Sequence, residues 1–360
     1  MTRRTHRTRN LVLASTITLA AAALSVPSAG AAKAPGPQAN PATTTGTARI
    51  FMVNPVQSTG DQSLSDDKDS AAAVPQSAYA LAPLRNLDGS GYLRGTWVTV
   101  ASATGTPAYS PSEDFRYDRS QDQFEQVMAY FWVNRAQEYL QSLGFGSTFP
   151  GIVKQQFEVK VDQYGGDNSY QTDKPFRIRL GKGGVDDAED AEVIVHEYGH
   201  AVHASQVPGF GASEEAGSIG EAWGDYFGVS VGLDAADEFH WPVKADPACP
   251  MDWDSTSYTD APHCIRSFSA GLTVADKIGE VHFDGQIWSQ ALWEIRNDYV
   301  GLRKSARDWD RTLVLSQFRY APDTSFSAAA KATYETALQQ DGAKAAKAVK
   351  DRFAARGITF

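Results

Sequence analysis

A chain of 360 residues, 42% hydrophobic and 21% charged, has room for one large domain or two modest ones and is too apolar for global disorder. Its net charge is −10, and removing the four arginines of residues 1–31, a stretch without an acid, takes it to −14. So acidic a chain argues against nucleic acid and anionic membranes as partners. Beyond residue 31 nothing approaches the roughly 18 consecutive apolar residues of a membrane span.

In chain order, residues 1–31 read as an export signal. A basic stretch at 3–9 precedes uncharged, mostly apolar residues 11–24, then Pro27 and the small Ala29-Gly30-Ala31. The mature chain is therefore expected to be secreted and extracellular. Residues 32–47, Ala, Pro, Thr and Gly with one charge, are expected to form a flexible linker, too short for a large folded pro-domain. From Ala48 to about Ala108, short runs (ARIFMVNPV, YALAPL, GYLRGTWVTV) between turn residues read as β-hairpins. Phe124, Val127, Met128, Phe131, Trp132, Ala136, Tyr139 and Leu140 then share one face of a long amphipathic helix. Two more strand-like runs follow, FEVKVDQY and PFRIRLG. Residues 188–204, 216–232, 284–300, 306–319 and 326–355 are helical in pattern. Strands first and helices second predict an α+β fold. Its β-rich lobe spans 48–187 with one long helix, and a helical lobe spans 188–360, with a cleft between them.

Export bears on the two cysteines. Cys249 and Cys264 lie fifteen apart among Pro247, Pro250 and Pro262. An oxidising compartment and an even count favour a disulfide, which over such a loop contributes about 3 kcal/mol in the chain-entropy model. Two inert thiols are the alternative; a metal site lacks any C-x-x-C partner.

The chemistry concentrates in two segments. AEDAEVIVHEYGHAVHA carries H-E-x-x-H at His196, Glu197 and His200, which on a helix sets both imidazoles on one face a turn apart. Glu197 points away from that line, placed to handle a water rather than to ligate. Asp186, Asp187 and Asp190 favour the helix N-terminus. Twenty-five residues after His196, GSIGEAWGDYF holds an E-x-x-x-D pair, Glu221 and Asp225. A catalytic zinc takes three protein ligands and keeps one open position, and two His with one Glu is such a set. Asp225, one turn beyond Glu221, is placed to tie the far N–H of a ligand imidazole. A pair of exposed surface acids is the bland alternative.

With these residues the chain resembles the gluzincin metallopeptidases, both thermolysin-like and fungalysin-like. EAGSIGEAWGD (215–225) is similar to the fungalysin signature E-x-G-x-x-G-E-x-x-x-D. Asp167-Asn168-Ser169-Tyr170 resembles the edge strand that binds substrate backbone in this clan. Gly279-Glu280-Val281-His282 with Gly285-Gln286-Ile287-Trp288 resembles the segment whose His hydrogen-bonds the tetrahedral intermediate. Ile265-Arg266-Ser267 with Ser269 resembles the stretch whose Arg grips the substrate carbonyl. The resemblance covers roughly residues 115 to 360. It implies a two-lobed thermolysin-like fold with the active-site helix between the lobes. It also implies one catalytic Zn2+ on His196, His200 and Glu221, Glu197 and His282 as catalytic groups, and Asn168 and Arg266 as substrate contacts. The position nine before Glu221, a Tyr in thermolysin, is Ala212 here. His203 falls at +7 from His196, where a metzincin needs its third His at +10, which is Gln206, so His203 reads as structural.

The expected function is a secreted, monomeric zinc endopeptidase acting on proteins or peptides. A zinc aminopeptidase is the first alternative, disfavoured because no G-x-M-E-N loop is present; a non-catalytic secreted binding protein on the same scaffold is the second. The acidic runs at 186–190 and 234–238 are candidate Ca2+ ligands or, equally, solvated faces, since their spacing matches no EF-hand loop.

Overall fold

Two small sheets, one buried helix and a stack of longer helices follow one another along the chain. The structure, a computed structural model, describes residues 43–101 and 105–360. The expected export signal and all but the last five residues of the expected linker lie outside them. Four of those five belong to the first strand, β1 (Thr44–Phe51), which begins before the Ala48 expected from the sequence.

Strand β1 pairs antiparallel with β2 (Tyr79–Leu87), but they do not form a tight hairpin. Between them Asn54 caps a short helix, α1 (Pro55–Thr59), by accepting from the Gln57 amide, with Pro55 at the first helical position. On the other side β1 meets β4 (Asp114–Phe115) in parallel. The second sheet runs β3 (Val98–Val100), β5 (Phe157–Lys160), β7 (Phe176–Arg179), β6 (Tyr170–Asp173). Its first two pairings are parallel, and only β6 and β7 form a hairpin. Of the hairpins expected over 48–108, β1 and β2 are antiparallel neighbours across a long connection, while β3 lies in the second sheet beside β5. Alternation reveals a strand but not its partner, and parallel neighbours need long connections. Strand β6 is an edge, so one row of its backbone groups is unpaired by any strand among the described residues.

Helix α2 (Asp122–Ser142) has the expected apolar face, yet sixteen of its 21 residues are buried. It packs on both sheets and on the next two helices, α3 (Ala191–Gln206) and α4 (Glu214–Glu238). Its polar side has partners instead of water: Arg135 pairs with Asp234 at 2.6 Å and Glu238 at 2.5 Å, and Gln137 accepts from the Tyr198 hydroxyl at 2.7 Å. In the acidic run at 234–238, Asp234 and Glu238 face arginines.

Helix α3 starts later than its pattern suggests. Asp187–Glu189 form a 3-10 turn, and Asp190 caps the helix by accepting from the Glu192 amide at 2.9 Å. Helix α4 lies against α3 and against α5 (Val281–Gly301), followed by α6 (Ala306–Gln317). The segment read as helical over 326–355 is two helices, α7 (Phe326–Asp341) and α8 (Ala343–Ala355). They are split at Gly342, whose φ of 88° suits glycine best. Cys249 and Cys264 form the disulfide, with Cα atoms 4.8 Å apart. No helix among the described residues is long and apolar enough to cross a membrane.

Candidate active site

Helices α3 and α4 approach so closely at one point that only a glycine fits. A Cβ on Gly224 would stand 2.5 Å from His196 Nδ1. Just above, the Trp223 indole donates to the Gly199 carbonyl at 3.0 Å and fixes the register of the two helices. The close approach brings α4's acids against α3's imidazoles. His196 Nδ1 lies 2.8 Å from Asp225 Oδ1, and its Nε2 lies 3.3 Å from Glu221 Oε2 and 3.1 Å from His200 Nε2. His200 Nε2 is 3.6 Å from Glu221 Oε1.

With the His196 Nδ1–H donated to Asp225, Nε2 is the nitrogen left to present a lone pair toward His200 and Glu221 once a metal displaces its proton. The ligand atoms of His196, His200 and Glu221 all lie within 4.8 Å of one another. Two nitrogens and a carboxylate converge on one point, as a metal ion requires. His203 takes no part. Its ring lies 4.2 Å from the Phe210 ring and 5.7 Å from Trp223, packed into the core.

Charges are tuned by burial and by one another. Burial draws His196 down, but the Asp225 hydrogen bond, the Glu221 contact and both charges outweigh it and raise the group to about 10. Burial holds His200 down at about 4 and pushes Glu197 up to about 7. Burial works against Asp225 too, yet the Arg266 charge and hydrogen bonds bring it down to about 2. Glu197 Oε2 is buried and makes no hydrogen bond.

Around these groups lies a cavity of about 500 Å³, lined among others by Asn168, His196, Glu197, His200, Glu221, Arg266 and His282. Arg266 donates to Asp225 through Nε at 2.6 Å and Nη2 at 2.5 Å, and its Nη1 has no partner among the described residues. His282 sits on the first turn of α5, half-exposed, with Nδ1 2.7 Å from Glu280 Oε1 and Nε2 3.3 Å from Glu221 Oε2. Asn168 is exposed at the rim, two residues before edge strand β6, with its carbonyl accepting from the Tyr164 hydroxyl. Ala212 lies outside the cavity lining, its amide bonded to the Pro322 carbonyl at 2.9 Å.

Sequence reasoning missed two contributors. Gly224 stood inside a quoted motif, but its need for close approach depends on the α3–α4 packing. Glu280 was legible as an N-cap, because it precedes α5 and its carboxylate accepts from the His282 and Phe283 amides. The acids at 186–187, read both as helix-start residues and as candidate Ca2+ ligands, were not legible as members of separate clusters. The fold assigns them to two separate groups, Glu125 with Asp162 and Asp186, and Asp167 with Asp187 and Asp254.

Fold and site together resemble those of the gluzincin metallopeptidases. The Fungalysin metallopeptidase (M36) family matches this chain over residues 176–314, from β7 through the active-site helices to α6. The chain is 32% identical over 126 residues to "Extracellular metalloproteinase mep" of Aspergillus terreus, covering 31% of this chain and 18% of that protein. It is 30% identical over 120 residues to "Extracellular metalloproteinase 4" of Trichophyton tonsurans, covering 29% and 17%. The chain thus spans less than a fifth of the length of these relatives. Among solved structures it is similar to the precursor of protealysin, a metalloproteinase from Serratia proteamaculans. That match has a TM-score of 0.51 and 17% identity, covering 73% of this chain and 87% of that one, and it shows a shared fold.

Proposed function

We propose that this chain is a secreted, monomeric zinc endopeptidase. The observation that carries the reading is the convergence of His196, His200 and Glu221 at the cavity floor beside the buried, unbonded Glu197 carboxylate. The donor set fits zinc: two imidazole nitrogens and one carboxylate, with Asp225 fixing the His196 tautomer from behind. Zinc bound there supplies an acidified water and a polarised carbonyl.

The chain's own groups do the rest. Glu197 takes the proton of the attacking water and delivers it to the leaving amine; burial has already brought its affinity for a proton near neutrality. With its Nδ1–H donated to Glu280, His282 serves the oxyanion from Nε2 as an imidazolium, the form that carries a proton on both nitrogens. Arg266, with two nitrogens committed to Asp225, offers Nη1 to a substrate carbonyl. The substrate runs along edge strand β6 as an added strand, with Asn168 at its entry. The extracellular relatives support export.

The test is hydrolysis of casein and of peptides blocked at both ends, before and after chelation and after zinc is restored. Chelator-sensitive cleavage within blocked peptides is expected. Cleavage only of peptides with a free N-terminus would establish an aminopeptidase instead, and no cleavage at all would leave a binding protein.

A further inference from the structure

The catalytic groups occupy part of the cavity, and the proposed mechanism leaves a second group in it unused. Asp167, Asp187 and Asp254 line the same cavity, with one carboxylate oxygen from each within 4.8 Å of the others. Asp187 and Asp254 are 3% and 4% exposed. In each, one oxygen has a partner. Ser169 donates to Asp187 Oδ2, and the Tyr258 hydroxyl donates to Asp254 Oδ2 at 2.5 Å. The other oxygen, Oδ1, is buried and makes no hydrogen bond in either residue. A bare buried carboxylate oxygen is costly, and two of them in one cavity call for a cation.

The fold does not supply that cation. Arg266 is the one arginine or lysine in the cavity lining among the described residues, and it is held by Asp225. Burial pushes Asp187 up to about 9 and Asp254 up to about 7, as expected for acids without a paired base. Val193, Met251 and Ile265 line the cavity too. An apolar wall suits the methylene stem of a long basic side chain, whereas calcium seeks six to eight oxygens around it.

We propose that Asp187 and Asp254 form a subsite for the lysine or arginine side chain of a substrate residue flanking the scissile bond. The subsite rests on the peptidase reading and names the substrate class that reading leaves open. The Asp187 and Asp254 carboxylates accept from the incoming ammonium or guanidinium, and Asp167 adds charge from the exposed side.

The experiment uses the zinc-loaded full chain. A random peptide mixture blocked at both ends is digested and the cleavage sites are mapped. Matched peptides carrying Arg, Lys, norleucine or Glu at the selected position are then compared by kcat/KM. Arg and Lys are expected to exceed norleucine by about tenfold or more, the worth of one or two charge-assisted hydrogen bonds. Asp187→Asn and Asp254→Asn are expected to reduce the Arg-to-norleucine ratio. Cleavage with equal or better rates for norleucine overturns the subsite and leaves the peptidase standing, and needs no variant to fold. No cleavage of any peptide overturns both. A tightly held equivalent of calcium that survives dialysis and is lost in Asp187→Asn assigns these oxygens to a resident ion, and overturns the subsite alone.

Discussion

His282 Nε2 lies 3.3 Å from Glu221 Oε2, so a residue 61 positions beyond a metal-binding candidate reaches its carboxylate. The two residues sit on adjacent helices, α5 and α4. The geometry places His282 beside the donor set without completing it, since His196, His200 and Glu221 already converge without it.

His282→Ala should lower kcat and kcat/KM together, by about 100-fold or more, with KM little changed, because the lost hydrogen bond forms in the transition state. Zinc content and melting temperature should hold. Glu280, not His282, caps α5, and Trp288 packs on Phe326 and Phe353. Steady-state kinetics and metal analysis on one preparation check this; unchanged kcat in the folded variant removes His282 from catalysis.

Glu197→Gln should keep zinc and lose about 100-fold or more of turnover, because the ligands are untouched and the proton acceptor is gone. Glu221→Ala should lose zinc on dialysis. Asp225→Asn should weaken metal binding about 10–100-fold by loosening the His196 ring. Stoichiometric zinc in Glu221→Ala would show that another residue completes the site.

Gly224→Ala tests the close approach of α3 and α4. The added methyl stands 2.5 Å from His196 Nδ1, so the ring or the helix must shift, at a typical overpacking cost of about 1–3 kcal/mol. Gly301→Ala, which meets nothing within 4 Å, is the control. Zinc affinity by chelator competition should fall in the first variant and hold in the second; equal affinities would refute the packing account.

Stability of the metal-free chain should fall as pH rises from about 6.5 to 9. Burial raises Asp186 to about 8 and Asp187 to about 9, while Asp225 and Glu221 overcome burial to raise His196 to about 10. Each group therefore holds its proton more tightly folded than unfolded. Its contribution is full below its unfolded value, near 4 for Asp and 6.5 for His, and is lost as pH climbs to the folded value. His200, lowered by burial to about 4, acts in the opposite sense but only below about 6.5. Calorimetry in chelator should show a melting temperature several degrees lower at the alkaline end. A flat or rising profile would contradict the protonation of these groups.

The metal-binding candidates were legible because their spacing is local: i and i+4 on one helix, twice over. Arg266 was not legible as the partner of Asp225. Their contact depends on the loop closed by Cys249 and Cys264, 41 residues along the chain. Strands β1, β2, β5 and β7 were visible as alternating runs, but the antiparallel pairing of β1 with β2 and the parallel pairing of β5 with β7 are tertiary facts. The polar residues of α2 resembled a solvent face, since a buried Arg135 looks the same in sequence whether Asp234 and Glu238 or water receives it.

The burial of α2 on every side has a consequence for how the molecule comes apart. The apolar residues it touches belong to one continuous core that runs from Ala48 to Ile358. A cut between the strand-rich and helical halves would strip cover from that helix and leave two fragments, neither with a complete interior. The halves are therefore not severable, and melting should be a single cooperative transition with equal calorimetric and van't Hoff enthalpies. Under the proposed endopeptidase function, each copy is a potential substrate of the others. Clipped loops would then leave it assembled, and the first wholesale opening would expose the entire interior at once.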